Sequence, residues 1–148
     1  MALVELISEE VVKVPLVSSN KPDVIRELIQ ILHDIGKIQE TEQAYDAIME
    51  RESKGSTGLE KGIAVPHAKC VQVKSLTVAV GISPGGIDFN ALDGKLSQLF
   101  FLLLAPPDQS GPHIAALSEI AKITRSDAFL RTIKNSISPR EVVELFRE

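Results

Sequence analysis

Leu96-Ser97-Gln98-Leu99-Phe100-Phe101-Leu102-Leu103-Leu104 is apolar on both faces at its centre, the pattern of a strand inside a sheet that is covered on both sides. The apolar run from Leu99 to Ala105 is far shorter than the roughly 20 residues a membrane helix requires, so it reads as a buried strand. Ahead of it, Asp93-Gly94 signals a tight turn. Leu76 to Ile82 alternates β-branched residues as a second strand, and Ser83-Pro84-Gly85-Gly86 reads as a turn with another strand after it. Ile63-Ala64-Val65 is a short strand that Pro66 ends by withholding its amide hydrogen. Between Gly55 and Gly62 three glycines with Ser56 and Thr57 leave no periodicity, which makes that segment a loop.

Helices flank these strands. Ser19-Asn20-Lys21-Pro22 places capping side chains and a proline before Val24, Ile25, Leu28, Ile29 and Leu32, one apolar stripe on a helix ending near Gly36. Thr41 is positioned to cap a second helix that carries Ala44, Tyr45, Ile48 and Met49 and stops at Gly55. After the strand, Pro106, Pro107, Ser110, Gly111 and Pro112 break the chain before Ile114, Leu117, Ile120, Ala121 and Ile123 resume helical spacing. Ser126 caps a short helix, and Ser138-Pro139-Arg140-Glu141 combines a capping box with proline at the first helical position. The expected fold is α/β: one mixed β-sheet flanked by helices on both faces, in a single domain over residues 1–148.

Composition narrows the function. A net charge of −4 without a basic stripe argues against nucleic acid as a partner. The single cysteine, Cys70, rules out an internal disulfide and fits a reducing cytosol. The start, MALVELISEE, is acidic and lacks a basic region followed by an apolar one, so a cytoplasmic protein without membrane insertion is expected. No phosphate-binding glycine motif, dinucleotide fingerprint, zinc-type cysteine cluster or nucleophile elbow is present.

Three histidines remain. His33 falls near the end of the first helix, where an imidazole commonly packs its ring and caps carbonyls. His67 follows a strand and a proline, a place where α/β proteins build sites; the alternative is a turn histidine bonded to a local carbonyl. His113 falls in a first helical turn, beside a Pro112 that removes one amide donor, and by itself reads as a solvent-exposed cap. Arg51 ends a helix whose dipole already favours a cation. Gly55-Ser56-Thr57-Gly58 taken alone is compatible with a merely flexible connection. Two imidazoles and a guanidinium, brought together, would suit phosphoryl transfer without a metal, but spacing does not establish that they converge.

The segment R-E-S-K-G-S-T-G-L-E-K-G-I-A-V-P-H-A-K, residues 51–69, resembles the active-site stretch of the type 2 enzyme IIA domains of the bacterial phosphotransferase system, the fructose, mannitol and nitrogen-regulatory class. The likeness continues through G-I-D-F-N-A-L-D-G-K at 86–95, L-F-F-L-L-L-A at 99–105 and P-H-I-A-A-L at 112–117. It implies that His67 becomes phosphorylated, that His113 lies beside it and that Arg51 attends the phosphoryl group. It implies a donor, the phosphocarrier protein HPr, and an acceptor, a IIB domain that in fructose- and mannitol-class systems presents a cysteine. No cofactor or metal is implied. The chain departs from the family at Glu60-Lys61-Gly62, where Gly-Asn-Gly is usual, and at Ile114, where leucine is usual. Glu60 is expected in solvent, in a weak pair with Lys54 or Lys61. P-H-A-K followed by V-x-V-K leans toward the fructose class; a regulatory protein of the nitrogen class is the alternative, and a histidine-based hydrolase or metal protein a third reading.

Overall fold

The computed structural model describes residues 3–147, so Met1, Ala2 and Glu148 lie outside it. Its strands are β1 (Val12–Lys13), β2 (Ile63–Ala64), β3 (His67–Lys69), β4 (Thr77–Ile87) and β5 (Ser97–Ala105). Its α-helices are α1 (Lys21–Asp34), α2 (Thr41–Ser53), α3 (Ser110–Ile123), α4 (Asp127–Lys134) and α5 (Pro139–Arg147). β4 and β5 pair antiparallel over most of their length, and every other pairing in the sheet is parallel, which makes the sheet mixed. The strand order is β1-β4-β5-β2, with β3 also on β5. Every residue of β5 from Leu99 to Ala105 is fully buried, as expected for a strand with helices over both faces.

β2 and β3 run along the same side of β5: Ile63 opposes Leu99, and His67 opposes Leu103. Pro66 lies between them and has no amide hydrogen to give, while its carbonyl still accepts from Leu103 N at 3.0 Å. The predicted strand 63–65 therefore resumes immediately beyond the proline, and His67 is the first residue of a strand rather than part of a turn.

The helices form where apolar spacing and caps agree. α1 buries Val24, Ile25, Leu28, Ile29 and Leu32, the predicted stripe, and Asn20 Oδ1 accepts from Asp23 N at 2.9 Å. Ser126 Oγ accepts from Phe129 N at 3.1 Å at the start of α4. Ser138 Oγ accepts from Glu141 N at 3.2 Å before α5, as the capping box requires, while the Glu141 carboxylate accepts at 2.8 Å from Ile137 N, one residue before the Ser138 N–H that the box would use. Thr41, expected as a cap, is instead the first residue of α2. Gln72 Oε1 takes the amide hydrogens of Gln39 and Glu40, a long-range cap that no local signal announces.

One element departs from expectation. Ser83-Pro84-Gly85-Gly86 is not a turn; β4 runs through it, with a register irregularity between Ile82 and Ile87, and no separate strand follows before β5. On its outer side, among the described residues, β4 pairs only with β1, at Val80 and Gly81, and the last bond there is Leu16 N to Ile82 O at 2.8 Å. Pro84 thus sits where β4 is locally an edge and its register is irregular, settings in which a strand tolerates proline.

Candidate phosphoryl-transfer site

The parallel pairing of β3 with β5 sets His67 at the end of the sheet toward which β5 runs. Its ring is half-buried, and Nδ1 lies 2.7 Å from Val65 O. A carbonyl oxygen only accepts, so Nδ1 carries the hydrogen, and in the neutral ring Nε2 keeps its lone pair. His113, the fourth residue of α3, meets it edge-on: the ring centroids are 5.3 Å apart and the planes 78° apart. His113 is buried, and its Nε2 has no hydrogen-bond partner among the described residues. Burial first, then the neighbouring His67 and the Lys69 ammonium, hold its pKa below the ordinary histidine value, so this ring is neutral near pH 7.

α2 contributes from its last turn. Arg51 Nη1 donates to Gly55 O at 2.8 Å, which fixes the guanidinium over the loop and leaves its other N–H groups available. The rings of His67 and His113 share a depression of about 380 Å³ with Arg51, Lys54, Lys69 and Glu50. Three cations around a half-buried nucleophilic nitrogen suit a small, multiply charged anion, and a phosphoryl group meets both the charge and the chemistry.

The loop after α2 is anchored rather than flexible. Ser56 Oγ donates to Phe89 O at 2.6 Å and accepts from Gly58 N at 3.0 Å. At Gly58 a Cβ would lie 2.9 Å from both Ala91 Cα and Phe89 O, so the close approach of two backbones requires glycine there.

Residues 5–148 match the family described as phosphoenolpyruvate-dependent sugar phosphotransferase system, EIIA 2. The chain belongs to this family. A fructose-specific EIIA component of Haloferax volcanii is 31% identical over 138 residues, with 90% of each chain covered. A fructose-specific EIIABC component of Bacillus subtilis is 30% identical over the whole of this chain, which spans only 23% of that longer protein. The crystal structure of the nitrogen regulatory protein IIA-Ntr from Neisseria meningitidis superposes with a TM-score of 0.89 at 26% identity, covering 97% of this chain and 98% of the other. EIIA family members act as phosphotransferase carriers.

Within this EIIA chain, Arg51, His67 and His113 line one depression, the convergence that spacing alone left open. His113 is not the exposed cap that its position suggested. His113, Ala116 and Ile120 form the buried stripe of α3, while Ile114 faces solvent at 63% exposure. His33 stays apart on the surface of α1, beside Gln30 and Asp34. Glu60 is exposed and lines a different cleft, with Lys61, Asp93 and Lys134. The expected pair with Lys54 or Lys61 does not form: Lys61 Nζ pairs with Asp127 at 3.0 Å, and Glu60 enters no ion pair among the described residues. Sequence reading missed Lys54 and Lys69. Both had a signal, Lys54 three residues after Arg51 at the helix end and Lys69 two after His67, hence on the same side of β3.

Proposed function

We propose that this single domain is a phosphoryl carrier that accepts from phospho-HPr on Nε2 of His67 and delivers to a IIB domain of a fructose-class system. In the first step the N–P bond of the donor's phosphohistidine breaks as the His67 Nε2–P bond forms; in the second, the thiolate of a IIB cysteine takes the group and His67 returns to its neutral form. The observation that carries this reading is the 2.7 Å contact of Nδ1 with Val65 O, which points the free lone pair of Nε2 into a depression lined by Arg51, Lys54 and Lys69. Neutral His113 is placed to serve as a hydrogen-bond partner for the transferring group, and Arg51 to neutralise its oxygens. Neither step calls for a metal or cofactor. The fructose assignment rests on the two fructose-specific relatives, one of which joins A, B and C parts in one protein by its name. We place the activity in the cytoplasm, docked on partners rather than inserted in a membrane; no helix among the described residues is long and apolar enough to span one.

Incubation with phosphoenolpyruvate, enzyme I and HPr, followed by mass spectrometry, should show one acid-labile phosphate on the chain and none on His67→Ala. That variant should keep its thermal stability to within about 1 kcal/mol, because a half-exposed ring with one hydrogen bond contributes little. Undiminished labelling of His67→Ala refutes the assignment. The likeness to the Neisseria meningitidis nitrogen regulatory protein favours a second reading, in which phosphorylation controls partner proteins. Acceptance from HPr without onward transfer to any fructose-class IIB would select it.

A further inference from the structure

Glu52, the neighbour of Arg51, is a buried carboxylate in the last turn of α2. Helix C-termini disfavour negative charge and burial disfavours it more, so helix stability alone gives no reason for an acid there. Its contacts supply one. Lys21 Nζ lies 2.7 Å from Glu52 Oε1, and the same ammonium sits 4.6 Å from the centroid of the Phe89 ring. Glu52 Oε1 accepts from Thr57 N at 3.1 Å, and Oε2 accepts from the Thr57 hydroxyl. Thr57, itself buried, then passes the constraint on through its backbone: its carbonyl accepts from Val65 N at 3.0 Å, and the carbonyl of Val65 accepts from His67 Nδ1 at 2.7 Å.

We propose that Glu52 is a positioning residue for the phosphoryl acceptor, acting through Thr57 and Val65 to hold the proton of His67 on Nδ1 and so present Nε2 to the donor; this rests on His67 being the acceptor. Val65 is where β2 has already ended, so its amide finds no partner in β5 and depends on the Thr57 carbonyl. Loss of the carboxylate releases Thr57 from both of its anchoring bonds, frees the 65–66 peptide to turn, and removes the acceptor that keeps Nδ1 protonated. In water the neutral histidine ring prefers its proton on Nε2, which would leave the reacting nitrogen blocked. Glu52 itself does not touch the phosphoryl group.

The test compares Glu52→Gln, Thr57→Val and Thr57→Ser with the unaltered chain at a temperature well below unfolding. Nitrogen NMR of the His67 ring reads the tautomer, and single-turnover labelling from phospho-HPr reads acceptance. Glu52→Gln and Thr57→Val should lower the Nδ1–H fraction and slow acceptance at saturating phospho-HPr about tenfold, the effect of roughly one lost positioned hydrogen bond, with little change in the HPr concentration giving half-maximal rate. Thr57→Ser, which keeps the hydroxyl, should restore both readouts. A tautomer and rate at unaltered values in Thr57→Val overturn the proposal even if Glu52→Gln fails to fold, because Thr57→Val leaves the Lys21–Glu52 pair in place. The tautomer readout does not depend on phosphorylation, so labelling of His67→Ala in parallel would bring down the acceptor assignment separately.

Discussion

The ring of His113 is buried beside His67 and Lys69, and all three influences make its protonation harder in the folded protein than in the unfolded chain. Its folded-state pKa therefore lies below the 6.5 expected when unfolded. Above that pH both states hold the ring neutral and the full stability is present. As pH falls below it the unfolded chain binds a proton that the folded one refuses, so stability declines until the depressed folded value is reached. Between about pH 7 and about pH 5 the thermal midpoint should fall more steeply for the unaltered protein than for His113→Gln, measured by circular dichroism; equal slopes would mean that the ring protonates freely in the fold. Arg51 belongs to the same scale but acts on rate. Arg51→Ala should still be labelled on His67, with acceptance slowed on the order of 100-fold, the usual effect of removing one positioned donor; a rate at the unaltered value would reduce Arg51 to a helix C-cap bonded to Gly55. The identities of these residues were legible in the sequence. The burial of His113 was not, because Ile114 looked like the inward residue and only the register of α3 decides between them.

At the scale of elements, the β4 segment shows where local signals mislead. Pro84, Gly85 and Gly86 are turn formers by propensity, but pairing with β5 on one side and the absence of β1 beyond Gly81 on the other let the strand continue with an irregularity. Gly86 carries the deformation: its φ is +79°, and a Cβ there would lie 2.7 Å from Leu96 Cβ. Gly86→Ala should cost about 2 kcal/mol, seen as a thermal midpoint lower by roughly 4–8 °C. Gly85→Ala, whose Cβ would meet nothing within 4 Å, should stay within about 0.5 kcal/mol of the unaltered protein. Equal effects at the two positions would place the strain elsewhere. The helices needed no such correction, since in α1, α4 and α5 the cap and the apolar stripe are both encoded within a few residues. The start of α2 was misread because its cap comes from Gln72, more than thirty residues away.

Across the whole molecule, the two ends of the sheet are separate places. Gly62 O accepts from Gln98 N and Leu99 N near the start of β5, whereas His67 opposes Leu103, so about four residues at roughly 3.3 Å each, some 13 Å, separate the two along the strand. Glu60 lies two residues further back and faces solvent in a cleft that shares no lining residue with the His67 depression. Such a separation exceeds the Debye length of roughly 10 Å at moderate salt, and Lys61 and Lys134 line the same cleft as Glu60. The unusual Glu60 is therefore expected to leave the approach of a phosphorylated donor nearly untouched. Glu60→Gly should change the rate of acceptance from phospho-HPr less than threefold, small beside the loss of a positioned donor. Measured at low and moderate ionic strength, the ratio of the two rates should also match that of the unaltered chain. A gain of tenfold or more, largest at low salt, would instead mean that this carboxylate restrains phosphorylation from the far end of the sheet, a property suited to a chain whose phosphorylation state is a signal rather than a step in transport.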